Sequence, residues 1–187
     1  MKCQSFSLVY TFATASLCTG LLWSSASITG AAEPGLETAK IESITGLKGA
    51  LNEKEDTFKI SKPKNDVPIS VDQASMAPFM GLTSWATFMP GGKADAMAMG
   101  DMVLFEDEVN PVMSAALEKG LAVTALHNHF FFDKPRVYFM HIGGEGTVER
   151  LAEGVRAIFD KEKEIRSANP QPADFVRDRT APGEKLD

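Results

Sequence analysis

Residues 96–159 read AMAMGDMVLFEDEVNPVMSAALEKGLAVTALHNHFFFDKPRVYFMHIGGEGTVERLAEGVRAIF, and this stretch decides the fold. Ala96 to Phe105 is a long, mostly apolar run and reads as a strand. Val109, Val112, Met113, Ala116 and Leu117 then recur at helical spacing. Pro111 falls in the first turn of that helix, where a missing N–H is tolerated, and Gly120 stands where a C-terminal cap belongs. Leu121 to Phe131 reads as a strand, Asp133-Lys134-Pro135 as a tight turn and Arg136 to Ile142 as the returning strand. Gly143-Gly144-Glu145-Gly146 leads into the clearest helix. Its buried stripe is Val148, Leu151, Ala152, Val155, Ile158 and Phe159, and its charged end runs from Lys161 to Arg166. The order β-α-β-β-α predicts an α+β fold, with helices packed on a mostly antiparallel sheet.

Upstream, Leu36 to Thr45 puts Ile41 and Ile44 on one helical face and stops at Gly46. Gly49 to Ile60, with the polar tip Asn52–Asp56, reads as a hairpin. Val67–Val71 and Thr83–Met89 are further strands, the latter followed by a turn at Pro90-Gly91-Gly92.

Further out, residues 1–32 have the form of a secretory signal peptide. Lys2 is the only charge before Glu33, the run from Phe6 to Trp23 is apolar and small, and small residues follow. Cleavage after Ala26 or Ala32 satisfies the small-x-small pattern, and the second opens the mature chain at Glu33-Pro34. Residues 33–166 then form one domain, and the proline-rich residues 167–187 an expected disordered tail. No later segment is apolar enough to span a bilayer. Cys3 and Cys18 both fall in the leader, so residues 33–187 hold no thiolate metal site, disulfide or cysteine nucleophile. Leu17 sits where a lipobox wants a small residue, which disfavours a lipoprotein anchor at Cys18. Losing Lys2 with the leader leaves 18 basic against 25 acidic residues, a balance of −7 that argues against nucleic-acid binding. The expectation is an exported, periplasmic or secreted protein.

All three histidines fall between 127 and 141. His127 and His129 are two apart in a strand and leave one face, while Asn128 leaves the other. With the turn centred on Lys134, His141 falls opposite His127 and Phe139 opposite His129, so three imidazoles converge on one patch. Three imidazoles suit zinc first, and also copper, iron or manganese, and leave a coordination position open. A fourth, anionic ligand comes from among Asp101, Glu106, Glu108 and Glu145. The competing readings are a metal-free acid–base or ligand pocket and plain packing.

Asp101 lies inside an apolar strand after Gly100, and with Glu108 it is the candidate general acid–base. The trio Glu106-Asp107-Glu108 is equally explained by a helix start. Gly143, Gly144 and Gly146 form a candidate anion site at a helix N-terminus for a small anionic ligand, with a simple strand-to-helix turn as the alternative. Met97-x-Met99 and Met102 read as plastic core filler, against a copper site formed with the histidines. Trp85 and Phe130–Phe132 read as core, or as the lining of a pocket.

The string Ser84-Trp85, Met99-Gly100-Asp101, Glu108-Val109-Asn110-Pro111-Val112, Ala125-Leu126-His127-Asn128-His129, Pro135-Arg136 and His141 resembles the LppY/LpqO-like family, a bacterial exported domain of unknown function. The likeness runs from about Ile41 to Asp160. It implies export and a shared domain fold, and no established activity. Members with two domain copies or a lipobox differ from this chain, whose single copy is expected to pair with itself as a homodimer. Two functions follow from the residues. One is a divalent-metal protein, with or without enzymatic activity on a small anionic substrate. The other is a non-catalytic envelope domain whose histidines line a metal-free pocket.

Overall fold

The structure, a computed structural model, describes residues 35–173. Helix α1 (Thr38–Thr45) ends at Gly46, whose φ of +71° is the left-handed conformation that closes a helix. The hairpin β1 (Gly49–Asn52) and β2 (Thr57–Pro63) follows as the polar tip predicts. The next strands, β3 (Ser70–Val71) and β4 (Ala74–Ser75), are short; only two residues of the expected Val67–Val71 strand pair. A 3-10 turn at Pro78–Met80 leads into β5 (Thr83–Pro90) and β6 (Ala96–Phe105). The chain continues through α2 (Glu106–Glu118), β7 (Ala122–His127), β8 (Asp133–Lys134), β9 (Val137–Gly146) and α3 (Val148–Ala168).

Six strands make one antiparallel sheet in the order β1-β2-β5-β6-β9-β7. Strand β6 is its spine, paired along its whole length with β9, from Ala96–Gly146 to Phe105–Val137. The three helices cover one face. Phe58, Ile60, Phe88, Met102, Leu104, Met140 and Ile142 point into that core and meet the stripe Leu151, Val155 and Ile158 of α3, all of them buried. The predicted α+β fold is therefore the observed one.

The opposite face is covered over only part of its area. A small sheet in the order β4-β3-β8 lies over its lower end, where Val67, Ile69 and Leu82 bury Val103, Phe105, Val137 and Phe139. The rest carries Trp85, Thr87, Met97 and Met99 toward solvent. The functional side chains stand at the boundary between the covered and open parts.

Three local expectations are corrected. Helix α2 begins at Glu106, so Pro111 lies in its interior and not in its first turn. The acidic trio forms the first turn instead, where negative charge complements the helix dipole, and Glu108 reaches back to the Phe105 N–H at 2.8 Å. Strand β7 stops at His127 because the chain leaves to pair Asp133 and Lys134 with β3, so His129 sits on a loop. Gly143 to Gly146 is not a turn but the end of β9. Its glycines thin the strand for α3: a Cβ on Gly144 would lie 3.1 Å from Leu151 Cδ2, and one on Gly146 would meet the Arg150 guanidinium. The signal-peptide reading and most of the tail, residues 174–187, lie outside the described residues. Of the rest, Ser167 and Ala168 complete α3.

Candidate functional site

The hairpin that carries the histidines is pinned at both ends of its loop. Asn128 Nδ2 donates to the Val137 carbonyl at 2.8 Å, and the buried Asp133 carboxylate accepts from the Val137 N–H at 2.7 Å. Between them these bonds saturate the backbone of Val137 and fix where the loop leaves β7. The register that results pairs His127 with Phe139, and Ala125 with His141, across a bulge near Val123. His127 is therefore diagonal to His141, two residues from the expected pairing. A shift of two leaves every side chain on its original face, so the imidazoles still meet. The His127 ring centroid lies 4.7 Å from that of His141 and 5.0 Å from that of His129. His129 stacks on Phe139, centroids 3.4 Å apart and 10° between planes.

Asp101 joins them from the other side. It is the direct cross-strand partner of His141, with Oδ1 3.8 Å from the imidazole Nε2. Asp101 is 15% exposed against 44% for His141. Asp101 Oδ1 and His127 Nδ1 are both shut off from solvent with no hydrogen-bond partner. Seven other buried side-chain atoms of the described residues also lack a partner, five of them on Asp107, Glu108, Glu162 and Arg166, so what sets this pair apart is its place beside two further imidazoles. His129 has its pKa held below the ordinary imidazole range, by partial burial first and by the neighbouring His127 and His141, with Asp101 pulling the other way. The shift favours the neutral form of the ring.

A cavity of about 350 Å³ opens beside this patch, between the Pro78–Gly81 turn and the sheet. Asp101, His129, Trp85, Phe79 and Lys59 line it. Lys59 Nζ lies 4.4 Å over the Trp85 ring and puts a cation beside the carboxylate and imidazole. Sequence reasoning missed Lys59 and the positioning role of Asn128. The signal for Asn128 was its place between two histidines; nothing local marked Lys59.

The other predicted site residues are elsewhere. Glu108 is fully buried in an ionic cluster with Lys64 (2.7 Å) and Arg166 (3.0 Å, misaligned for a hydrogen bond). Burial pushes its carboxyl above the usual range, against the pull of Lys64. Glu162 adds its charge 3.7 Å from Lys64 and 2.9 Å from Lys62, and Arg166 pairs with Asp107. None of these groups contacts a histidine. A cavity of about 480 Å³ lies over this cluster, larger than the one at the histidines. Its charges already neutralise one another, so size is a poor guide to chemistry here.

Gly143, Gly144 and Gly146 lie in the last paired positions of strand β9, and at the α3 start that follows, Thr147 Oγ1 accepts from the Arg150 N–H. Arg150 in turn donates to the Gly120 and Glu145 carbonyls.

Among the described residues, no group of three or more His, Cys, Asp or Glu side chains is placed to hold a metal ion. The described residues also contain no helix long and apolar enough to cross a membrane. A family model described as Domain of Unknown Function (DUF1259) matches residues 39–161, which takes in every strand and helix of the large sheet layer except the ends of α1 and α3. No curated protein and no solved structure matches the chain.

Proposed function

Because the chain belongs to the DUF1259 family, whose description names a domain and no activity, we propose a function from its own residues: it binds one divalent transition metal through His127, His129 and His141. The observation that carries this reading is the grouping of three imidazoles and a carboxylate, with His127 4.7 Å from His141 and 5.0 Å from His129 between ring centroids, and Asp101 Oδ1 3.8 Å from His141 Nε2. Two imidazoles bound to one tetrahedral ion at about 2.0–2.1 Å have ring centroids roughly 5 Å apart. The spacings of 4.7 and 5.0 Å match that for the two pairs that His127 makes, and His129 must leave its stack on Phe139 to join them. Zinc suits a three-histidine set with one carboxylate nearby; copper, iron and manganese follow.

Asp101 would be the anionic partner, as a fourth ligand or as a base beside the ion. A metal in this position supplies Lewis acidity and a nucleophile at neutral pH. The adjoining cavity suits a small anionic ligand, with the Lys59 ammonium as its counter-charge and the Trp85 ring as its wall. Lys59 thus replaces the glycine segment in the role of anion partner. The leader reading makes this an exported protein, and the N-terminal residue of the processed chain is then Glu33.

Titration of Zn²⁺ into tag-free protein by calorimetry tests the reading. One equivalent bound by wild type and lost in His127→Ala and His141→Ala supports it. Wild type binding no Zn²⁺, Cu²⁺, Mn²⁺ or Fe²⁺ returns the site to a metal-free pocket in a binding domain.

A further inference from the structure

Strand β6 has an inverted pattern upstream of Asp101. Its buried positions are Ala96, Ala98 and Gly100, while its outward positions are Met97 and Met99, with Met99 60% exposed. A half-covered antiparallel strand ordinarily turns its large apolar residues inward and polar ones outward. Gly100 explains the inward half, since a Cβ there would sit 2.6 Å from the Trp85 carbonyl oxygen. It does not explain two methionines facing water. Met102, by contrast, is fully buried and does serve as core, so the core-filler expectation holds for one methionine of the three.

A third thioether joins the outward pair. Met89 on β5 is the direct cross-strand partner of Met97 and is 40% exposed. Cross-strand partners have Cβ atoms roughly 5 Å apart, within easy reach for side chains as long as methionine. Met89, Met97 and Met99 line one cavity of about 280 Å³, closed at its end by Trp85 and Thr87. Its donors are thioether sulfurs, an aromatic face and one hydroxyl, with no carboxylate and no imidazole.

We propose that this cavity is a second metal site, one that takes a soft monovalent cation, Cu⁺ in particular, through Met89, Met97 and Met99 with the Trp85 ring against it. Thioethers are soft, neutral donors that select Cu⁺ over hard or borderline divalent ions. A neutral donor set also suits a single positive charge. An indole face attracts cations, and the Lys59 ammonium lies 4.4 Å from its centroid, so Cu⁺ competes with Lys59 for the Trp85 ring. Glu145, cross-strand from Met97, carries the charge opposite to Lys59. The metal ligands of this site are apart from the histidines: its rows of the sheet end at Met99, two residues before Asp101, and Trp85 alone lines both cavities.

Ag⁺, redox-inert and similarly soft, is the probe, titrated in chloride-free buffer into the full chain carrying Cys3→Ser and Cys18→Ser, which removes the two competing thiols. Native mass spectrometry gives the stoichiometry and tryptophan emission the affinity, with Trp85→Phe assigning the signal. The expected result is one Ag⁺ bound with a change in Trp85 emission. Met97→Leu with Met99→Leu, volume-conserving and at partly exposed positions, is expected to weaken Ag⁺ on the order of a hundredfold while leaving Zn²⁺ binding as in wild type. His127→Ala with His141→Ala is expected to leave Ag⁺ binding unchanged. Equal Ag⁺ affinity in wild type and the leucine variant, whether strong or negligible, overturns the site. So does loss of Ag⁺ with the histidines and not with the methionines.

Discussion

Asp101 and His141 are direct cross-strand partners on β6 and β9, their side chains facing each other with 3.8 Å between Oδ1 and Nε2. That is too long for a hydrogen bond, yet the carboxylate oxygen is buried and has no other partner. The pair faces a shared position and does not satisfy itself. Asp101→Asn keeps the shape and removes the charge. It is expected to weaken divalent-metal binding on the order of tenfold or more, by calorimetric titration. The same variant is expected to melt no lower than wild type without metal, because it relieves an unpaired buried charge.

Asn128 holds the loop that presents His129 by donating to the Val137 carbonyl at 2.8 Å. Asn128→Ala removes that tie and leaves every proposed ligand in place. Metal affinity is expected to fall by roughly tenfold to a hundredfold, the range for residues that orient ligands. Unchanged affinity would show that the loop needs no such tie.

Gly100 lies where β5 and β6 come too close for a side chain, its virtual Cβ 2.6 Å from the Trp85 carbonyl oxygen. Backbone cannot move aside as a side-chain tip can. Gly100→Ala is expected to cost about 1–3 kcal/mol in denaturant unfolding. Because Asp101 and Trp85 flank the strained point, metal binding should weaken along with stability.

Lys64 is buried between Glu108 and Glu162, and its ammonium also lies 4.6 Å over the Phe105 ring. Burial alone would push its pKa down, but Glu162, Glu108 and Asp66 outweigh burial and hold it above the ordinary lysine value of 10.5. A raised folded-state pKa contributes stability that is complete below pH 10.5 and is lost as pH rises through the folded value. Unfolding measured against pH should thus show an alkaline fall that is absent in Lys64→Met. At neutral pH that variant is expected to be destabilised by about 3–5 kcal/mol, since it leaves buried carboxylates uncompensated. Its metal affinity should match wild type, because the cluster has no contact with the histidines.

Local patterns made most of the α+β frame legible. Val148 to Phe159 repeats at helical spacing over three turns, and Ala96 to Phe105 is an apolar run between the Pro90-Gly91-Gly92 turn and the acidic start of α2, so both elements stand where expected. What could not be read was set by distant partners. Strand β7 ends early because β3, some sixty residues upstream, captures Lys134. The histidine register differs by two for the same reason. The site survives because strand faces repeat every two residues, so the sequence constrained the face more tightly than the register. Glu108 looked equally suited to catalysis and to a helix start. Only the burial of Lys64 and Arg166 beside it, on elements 44 and 58 residues away in the chain, assigns it to the ionic cluster. The methionines were misjudged because composition cannot say which side of a sheet is left uncovered.

X-ray absorption at the zinc edge of the Zn²⁺-loaded full chain tests the central claim most directly. The account predicts a first shell of three imidazole nitrogens at about 2.0–2.1 Å, with imidazole scattering beyond it, and an oxygen at a similar distance. His141→Ala should lose one nitrogen. A first shell of oxygens alone, or a wild-type spectrum unchanged by His141→Ala, would contradict it.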